Sequence, residues 1–168
     1  MPLDASNLSF PSPIGALTLF AERGSIIVIE AGRVPDSIKN DRLLNEARDQ
    51  LNAYFDGKLT TFDLPLAPAG PPRRREVWEV MAKIPYGTTL SYGEFAAEMK
   101  SSARAIGGAC GANPIPIVVP CHRVLAADGK MGGFSFANGA ETKRQLLQLE
   151  GAFDINLTSC PATPPQPY

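Results

Sequence analysis

The sequence predicts an α+β protein in which a small α/β region is followed by a mostly helical one. Two strand-like apolar runs flank a turn early in the chain, a proline-rich segment follows at residues 63–72, and the remainder carries apolar residues at helical spacing with capping signals. We therefore expect an N-terminal α/β domain at residues 1–66, a helical C-terminal domain at 67–157 and a proline-rich tail at 158–168.

The N-terminal region predicts a β-hairpin followed by a helix. Residues 15–21 and 25–31 are the predicted strands, and residues 22–24 supply the turn between them. Gly57 is a stop signal for the helix, which carries apolar and aromatic residues at helical spacing: Leu43, Leu44, Ala47, Leu51, Tyr54 and Phe55. Four prolines and a glycine in residues 63–72 predict a linker.

Two helices are predicted at the start of the C-terminal region. The first is ended by Pro85 and carries Val77, Met81 and Ile84. The second has Ser91 as its N-cap and carries Tyr92, Phe95, Ala96 and Met99.

Two further helices complete that region. The stretch 103–112 is built almost wholly from small side chains, which permits close approach of another helix or of a DNA groove, and with the preceding helix it suggests a helix-turn-helix. Asn138 and Glu141 form a capping-box pattern that opens the last helix, and Gly151 ends it.

The composition excludes several classes of protein. The N-terminus has no basic region followed by an apolar run, so no signal peptide is predicted, and no apolar stretch is long enough to span a bilayer. Three cysteines and one histidine, without a CxxC pair, make a disulfide framework or a zinc site improbable, so we expect no metal and reduced thiols.

The charge distribution is uneven. The chain has a net charge of −1, but residues 1–72 carry −3 and residues 73–144 carry +4. A basic central segment is consistent with a DNA-facing surface and equally with an ordinary solvated face.

The only histidine of the chain, His122, follows Cys121 directly. The adjacency could be chance, with both residues structural. If it is chemical, neighbours in an extended segment point to opposite sides, so a bridging water rather than a direct hydrogen bond would link them. The imidazole would then need a third group to orient it, and Glu150 on the last helix is the candidate.

The run Pro-Cys-His-Arg-Val at residues 120–124 resembles the signature of the methylated-DNA–protein-cysteine methyltransferases, the alkylguanine-DNA alkyltransferases. Further similarity extends in order over residues 10–151. It includes Leu51, Tyr54-Phe55, Gly57, residues 62–66, 84–88, 91–93 and 103–107, Asn113-Pro114, residues 132–135, Lys143, Leu146-Leu147 and Glu150-Gly151.

The resemblance implies a ribonuclease-H-like N-terminal domain and a repair protein that uses no cofactor. It implies that a helix-turn-helix enters the minor groove of double-stranded DNA, that the alkylated guanine is flipped out, and that Cys121 takes its alkyl group once and irreversibly. O4-alkylthymine would be a second substrate. We expect a monomer in the cytoplasm, or in the nucleus of a eukaryote, with no membrane partner.

By matching positions, the resemblance also implies the roles of individual residues. The catalytic set is Cys121, His122, Glu150, Tyr92 and Asn113. The DNA contacts are Arg104, which would fill the gap left by the flipped base, and Tyr92, Ser91, Ser102, Ala103 and Ala105. The substrate pocket is lined by Pro116, Val124, Phe134 and Ser135.

Three departures from the family pattern stand out. Arg73-Arg74 replaces the usual Phe-Gln pair, which would alter packing or add phosphate contacts. The interval from Tyr92 to Arg104 is shorter than usual, which compresses the turn between the DNA-side helices, and Phe134 stands where many members have tyrosine.

Two other functions remain open at this stage. A DNA-binding protein with an unreactive cysteine would bind lesions without accepting an alkyl group. A thiol hydrolase with a Cys–His pair would turn over repeatedly on an ester or amide and would not need Tyr92 or Arg104.

Overall fold

The computed structural model describes residues 5–35, 37 and 41–152, apart from the side chain of Asp128. The predicted tail at 158–168 and Cys160 lie outside these residues. The described elements are β1 (Ser6–Phe10), β2 (Leu17–Glu22), β3 (Ser25–Ala31), α1 (Arg42–Phe55), α2 (Pro72–Met81), β4 (Leu90–Ser91), α3 (Tyr92–Glu98), α4 (Ala103–Gly111), β5 (Val124–Leu125) and α5 (Ala140–Leu149). Strands followed by helices confirm the α+β prediction.

An antiparallel sheet in the order β1-β2-β3 forms the N-terminal half. The predicted hairpin is β2 and β3, whereas β1 was not predicted, because its apolar residues, Leu8 and Phe10, are too few to stand out. Asp41 caps α1 by accepting hydrogen bonds from the backbone N–H groups of Leu43 and Leu44. The buried face of α1 packs on the sheet through Leu44, Ala47, Leu51 and Tyr54.

The proline-rich segment is more than a linker. The N–H of Ile26 donates to the carbonyl of Pro65 at 2.8 Å, and the N–H of Ala67 donates to the carbonyl of Ile26 at 2.9 Å. These bonds fasten the segment to β3 beside an isolated bridge between Ile26 and Leu66. Proline is tolerated there because the segment lies at the edge of the sheet, where no neighbouring strand needs the N–H group that proline lacks.

The predicted helix-turn-helix is present as α3 and α4, which pack against each other. Ser91 and Glu94 form a reciprocal capping box at the start of α3, and the hydroxyl of Ser102 accepts the N–H of Ala105 at the start of α4. Each cap satisfies backbone donors that the first turn of a helix leaves unpaired.

Two predicted helix boundaries were wrong. The helix α2 ends at Met81 rather than at Ile84, because the chain tightens into a turn in which the N–H of Ile84 donates to the carbonyl of Met81. At α5, Asn138 makes no capping box. Gly139 is the N-cap, with φ at 64°, and the hydroxyl of Thr142 accepts the N–H of Asn138 instead.

One large hydrophobic cluster extends through both halves of the described chain and includes Leu19 and Leu51 of the first half and Trp78, Phe95 and Ile106 of the second. The halves therefore pack as a continuous core, although the predicted domain limits themselves remain a prediction. No helix within the described ranges has the length and apolar composition needed to cross a membrane.

Candidate active site

The segment that leads into Cys121 is a tight buried turn held by Asn113. The side-chain amide of Asn113 donates to the carbonyl of Val119 at 2.8 Å, and its oxygen accepts the N–H of Ile115 at 3.0 Å. Within the turn, Ile117 has φ at 75°, a left-handed conformation that a β-branched residue rarely adopts. Contacts with surrounding residues must therefore hold the turn in this conformation, and the turn sets the position of Cys121.

Cys121, His122 and Arg123 form a 3-10 turn and all three are buried. The expectation of an extended segment at this point was wrong. The N–H of Cys121 donates to the carbonyl of Val119 at 2.8 Å, and this bond draws the chain out of the extended conformation. The turn allows the side chains of His122 and Arg123 to reach the same partner.

That partner is the carboxylate of Glu150, which follows α5 directly. It accepts hydrogen bonds from Nε2 of His122 at 2.6 Å, from Nε and Nη2 of Arg123 at 2.8 and 3.0 Å, and from the hydroxyl of Tyr54 at 2.6 Å. The backbone N–H of Gly87 adds a fifth bond at 3.3 Å. The predicted contact between Glu150 and His122 is confirmed.

The network keeps Glu150 ionised. Burial alone would raise the pKa of its carboxyl, but the hydrogen bonds from His122 and Arg123 outweigh burial and lower that pKa to about 2. An ionised carboxylate can only accept, so Nε2 of His122 must carry the proton. Burial lowers the pKa of His122, so the ring is neutral and Nδ1 is an unprotonated acceptor, buried without a hydrogen-bond partner among the described residues.

The thiol of Cys121 is protonated at rest. Burial raises its pKa, while the side chain of Asn113 and the charge of Lys143 act in the opposite direction. Lys143 is itself fully buried, and its ammonium donates to the carbonyl of Val124 at 2.7 Å. Burial lowers the pKa of Lys143 to about 8, so the group still carries its charge at neutral pH.

Cys121 lies in the wall of an open cavity of about 810 Å³. Tyr92 is another wall residue, and a Cβ on Gly132, whose φ is 73°, would approach its ring to 3.0 Å. Glycine at position 132 therefore lets the loop pass behind that ring. Residues from β3, from α4, from the segment between α4 and Cys121 and from the loop before α5 complete the wall: Val28, Ile29, Glu30, Gly107, Cys110, Gly111, Asn113, Pro114, Pro116, Gly133, Phe134, Ser135 and Phe136.

Four of the six residues assigned to DNA contact, 102–105, lie at the exposed beginning of α4, whereas Ser91 and Tyr92 lie half-buried at the start of α3. Residues 102–105 are all exposed, with Arg104 among them, whereas Ile106 is buried against the core. The hydroxyl oxygens of Ser91 and Ser102 accept helix N–H groups, and each hydroxyl hydrogen remains able to donate to an oxygen outside the protein.

Two family models match this chain, 6-O-methylguanine DNA methyltransferase ribonuclease-like domain over residues 9–68 and its DNA binding domain over residues 72–152. The methylated-DNA–protein-cysteine methyltransferase of Methanosarcina acetivorans is 41% identical over 152 residues, which are 85% of this chain and 96% of that protein. The chain belongs to the methylated-DNA–protein-cysteine methyltransferase family.

Solved structures agree with this membership. The O6-methylguanine methyltransferase of Mycobacterium tuberculosis superposes with a TM-score of 0.77 at 38% identity and covers 92% of this chain and 99% of its own. The OGT of the same organism in complex with DNA gives a TM-score of 0.74 at 40% identity, with 90% and 97% covered.

Within this methyltransferase fold, most of the predicted site residues lie together. Cys121, Asn113 and Tyr92 line the cavity, as do three of the four residues predicted for the pocket: Pro116, Phe134 and Ser135. Val124 does not line it. Its side chain is fully buried and its carbonyl holds Lys143, because β5 pairs with β4 and turns that side chain into the core.

Sequence reasoning missed two side-chain partners of the central carboxylate. Tyr54 was recognised only in a helical pattern and in the family resemblance, and Arg123 only as part of the motif around Cys121. The arginine next to the Cys-His pair could have indicated a buried carboxylate. No local feature of the sequence linked Tyr54 to Glu150, which lies 96 residues further along the chain. Within the described part of the chain, no group of His, Cys, Asp and Glu side chains could hold a metal ion.

Proposed function

We propose that this protein repairs double-stranded DNA by transferring an alkyl group from O6 of guanine, and in the same way from O4 of thymine, to Cys121. The observation that carries the proposal is a buried thiol that opens onto a cavity and stands beside an imidazole held by a buried carboxylate. Family membership supports the same reaction.

The first step is activation of the thiol. We infer that a water carries the proton of Cys121 to Nδ1 of His122, because Nε2 is occupied by Glu150 and Nδ1 is the basic nitrogen. Glu150 would stabilise the imidazolium that results, and Lys143 would stabilise the thiolate.

The second step is displacement. The thiolate sulfur attacks the alkyl carbon in line with the carbon–oxygen bond, a carbon–sulfur bond forms, and the electron pair of the broken bond passes to the guanine. Burial raises the pKa of Tyr92, so its hydroxyl stays protonated and can donate a proton to the leaving base. The proton taken up by His122 can then replace the proton that Tyr92 has lost, and the guanine leaves as a neutral base.

The product is a thioether, which no residue of the site can cleave, so each molecule acts once. After incubation with a duplex that contains O6-methylguanine, we expect each protein molecule to gain the mass of one methylene group. Peptide mapping should place it on Cys121. Burial raises the pKa of Cys110 to about 12, and this thiol lacks the adjacent imidazole that serves Cys121, so it should stay protonated and unreactive.

Two results of the mass experiment would contradict the proposal. A methyl group on Cys110 or Cys160 would show that Cys121 is not the nucleophile. More than one demethylated base per protein molecule would mean that the thioether is not the end of the reaction. A duplex without the lesion is the control and should leave the mass unchanged.

We further propose that Arg104 occupies the space of the flipped nucleotide. Its position at the exposed start of α4 supports this role. Arg104→Ala should slow repair of a base in duplex DNA by about tenfold or more, because unstacking a base costs a few kcal/mol. Reaction with free O6-benzylguanine needs no flipping and should keep its rate. Equal slowing of both substrates would instead make Arg104 a residue of the fold or of the pocket.

The reaction requires a reduced thiol and access to chromosomal DNA. We therefore infer that the protein acts in the cytoplasm, or in the nucleus if the organism is a eukaryote, and that one copy suffices for the reaction.

A further inference from the structure

Three exposed basic side chains, those of Arg74, Lys100 and Arg104, form no ion pair within the described part of the chain. We refer to them as the basic surface. Arg104 already has a proposed place in the duplex, whereas Arg74 belongs to the arginine run in the first turn of α2, where Arg73-Arg74 replaces the usual family pair.

Two hydrogen bonds fix α2 relative to α4. The guanidinium of Arg73, in the first turn of α2, donates to the carbonyl of Met99 at 2.7 Å, just ahead of α4. The indole N–H of Trp78, more than a turn later, donates to the carbonyl of Ala109 at 2.8 Å, near the end of α4. The two helices therefore run in the same direction, with their N-termini at the same end.

The position of Arg74 on α2 places it toward α4. Residues three, four and seven positions later, namely Val77, Trp78 and Met81, share its face of the helix and are buried. Arg74 is exposed because it lies beyond the edge of that core, and long side chains in helices lean toward the N-terminus. Its guanidinium therefore lies toward the N-terminal end of the two helices, where Arg104 of α4 is exposed.

Arg75, the next residue, lies on a different side of the helix. It lines a separate cavity of about 500 Å³ beside the proline-rich segment, together with Leu66, Ala67, Pro68, Trp78, Glu79, Ala82 and Val119. It carries the same charge as Arg74 and is also exposed, and so provides a matched control.

We propose that Arg74 and Lys100 contact DNA phosphates outside the flipped nucleotide, so that the duplex lies across the N-termini of α2 and α4 together. The inference rests on the proposed function. Both helices direct the positive ends of their dipoles at this surface. Glu76 pairs with Arg73, and Glu94 is held in the capping box of α3, so neither neutralises the basic surface.

The test is the salt dependence of binding to a duplex that carries O6-methylguanine, measured by fluorescence anisotropy in a Cys121→Ala background. Each phosphate contact contributes about 0.9 to the slope of log K against log salt. Arg74→Gln should reduce the magnitude of the slope by about 0.9, the contribution of one contact. Arg74→Gln/Lys100→Gln should reduce it by the contribution of two contacts. From 50 to 200 mM salt, the parent should then lose about twelvefold more affinity than the double variant does. Arg75→Gln should leave the slope unchanged.

The outcomes separate the two proposals. With Cys121 intact, Arg74→Gln should react with free O6-benzylguanine at the parental rate and unfold at the parental temperature. An unchanged slope in Arg74→Gln, or an equal decrease in Arg75→Gln, overturns the phosphate contact while leaving alkyl transfer intact. If the parent neither accepts a methyl group from the duplex nor binds it, the proposed function fails and this inference fails with it.

Discussion

Replacing Cys121 with alanine is expected to abolish alkyl transfer from both duplex DNA and free alkylguanine, with no residual rate above that of buffer. The sulfur is the only atom of the proposed relay that forms a bond to the alkyl carbon. Cys110 lines the same cavity but is not expected to substitute, because burial raises the pKa of its thiol to about 12 and the only histidine of the chain follows Cys121 instead. Radiolabelled methyl transfer under single-turnover conditions measures the loss.

Duplex binding by the Cys121→Ala variant should stay within a few-fold of the parent, since Cys121 lies in the cavity wall and the basic side chains proposed to contact DNA lie on the exposed surface. The matched control is Cys110→Ala, which should retain single-turnover transfer. Methyl transfer that persists in Cys121→Ala and disappears in Cys110→Ala would reverse the assignment of the nucleophile.

Glu150→Gln is expected to have the second-largest effect and to act on rate and stability together. The amide cannot neutralise Arg123, whose side chain is buried and bonded to the carboxylate through two nitrogens. Breaking one partner of a buried ion pair costs about 3–5 kcal/mol, so the melting temperature should fall by about 6 °C or more. The transfer rate should fall about a hundredfold, because the imidazolium of His122 loses its counter-ion.

The same carboxylate predicts a dependence of stability on pH. Its pKa lies at about 2 in the folded protein and at the ordinary value of 4.5 in the unfolded chain. A depressed folded-state pKa contributes stability that is fully present above the unfolded value and is lost as the pH falls toward 2. Below pH 4.5 the parent should therefore lose more stability than Glu150→Gln, which has no proton to take up there.

Tyr54→Phe is the control for Glu150→Gln. It removes one hydrogen bond from the carboxylate and leaves the partners His122 and Arg123 in place. We expect a smaller loss of about 1–2 kcal/mol and a transfer rate within several-fold of the parent. If Glu150→Gln transferred methyl groups as fast as Tyr54→Phe does, the carboxylate would be structural and the relay as drawn would be wrong.

Much of the fold could be predicted from short-range signals. The hairpin alternates apolar residues across a turn, and Ser91 and Gly57 mark helix limits through the backbone conformations they favour. The error at β1 comes from a contact outside the segment, because the strand has too little apolar character of its own and forms by pairing with β2. The error at α5 is local, because the N–H of Asn138 donates to the hydroxyl of Thr142 and Gly139 becomes the N-cap.

The candidate site shows the same division. Cys121 and His122 could be identified because they are adjacent in a motif, and Glu150 through the resemblance together with the need for a group to orient the imidazole. Tyr54 could not, because its link to Glu150 exists only after the two halves have packed, and the backbone of Gly87 could not, because it meets Glu150 only after the turn ahead of β4 has packed against the end of α5. The 3-10 turn at Cys121 could not be predicted for a similar reason. The carbonyl of Val119, which accepts the N–H of Cys121, is held in place by the side chain of Asn113.

The position of Glu150 at the end of α5 has a consequence for when the protein can react. Its partners come from α1, from the turn ahead of β4 and from the turn at Cys121, so the carboxylate arrives last during synthesis and docks on parts that are already made. A nascent or truncated chain that stops short of residue 150 carries the thiol and His122 without the carboxylate that holds the imidazole. Its thiol therefore lacks one member of the proposed relay until the last helix has been made.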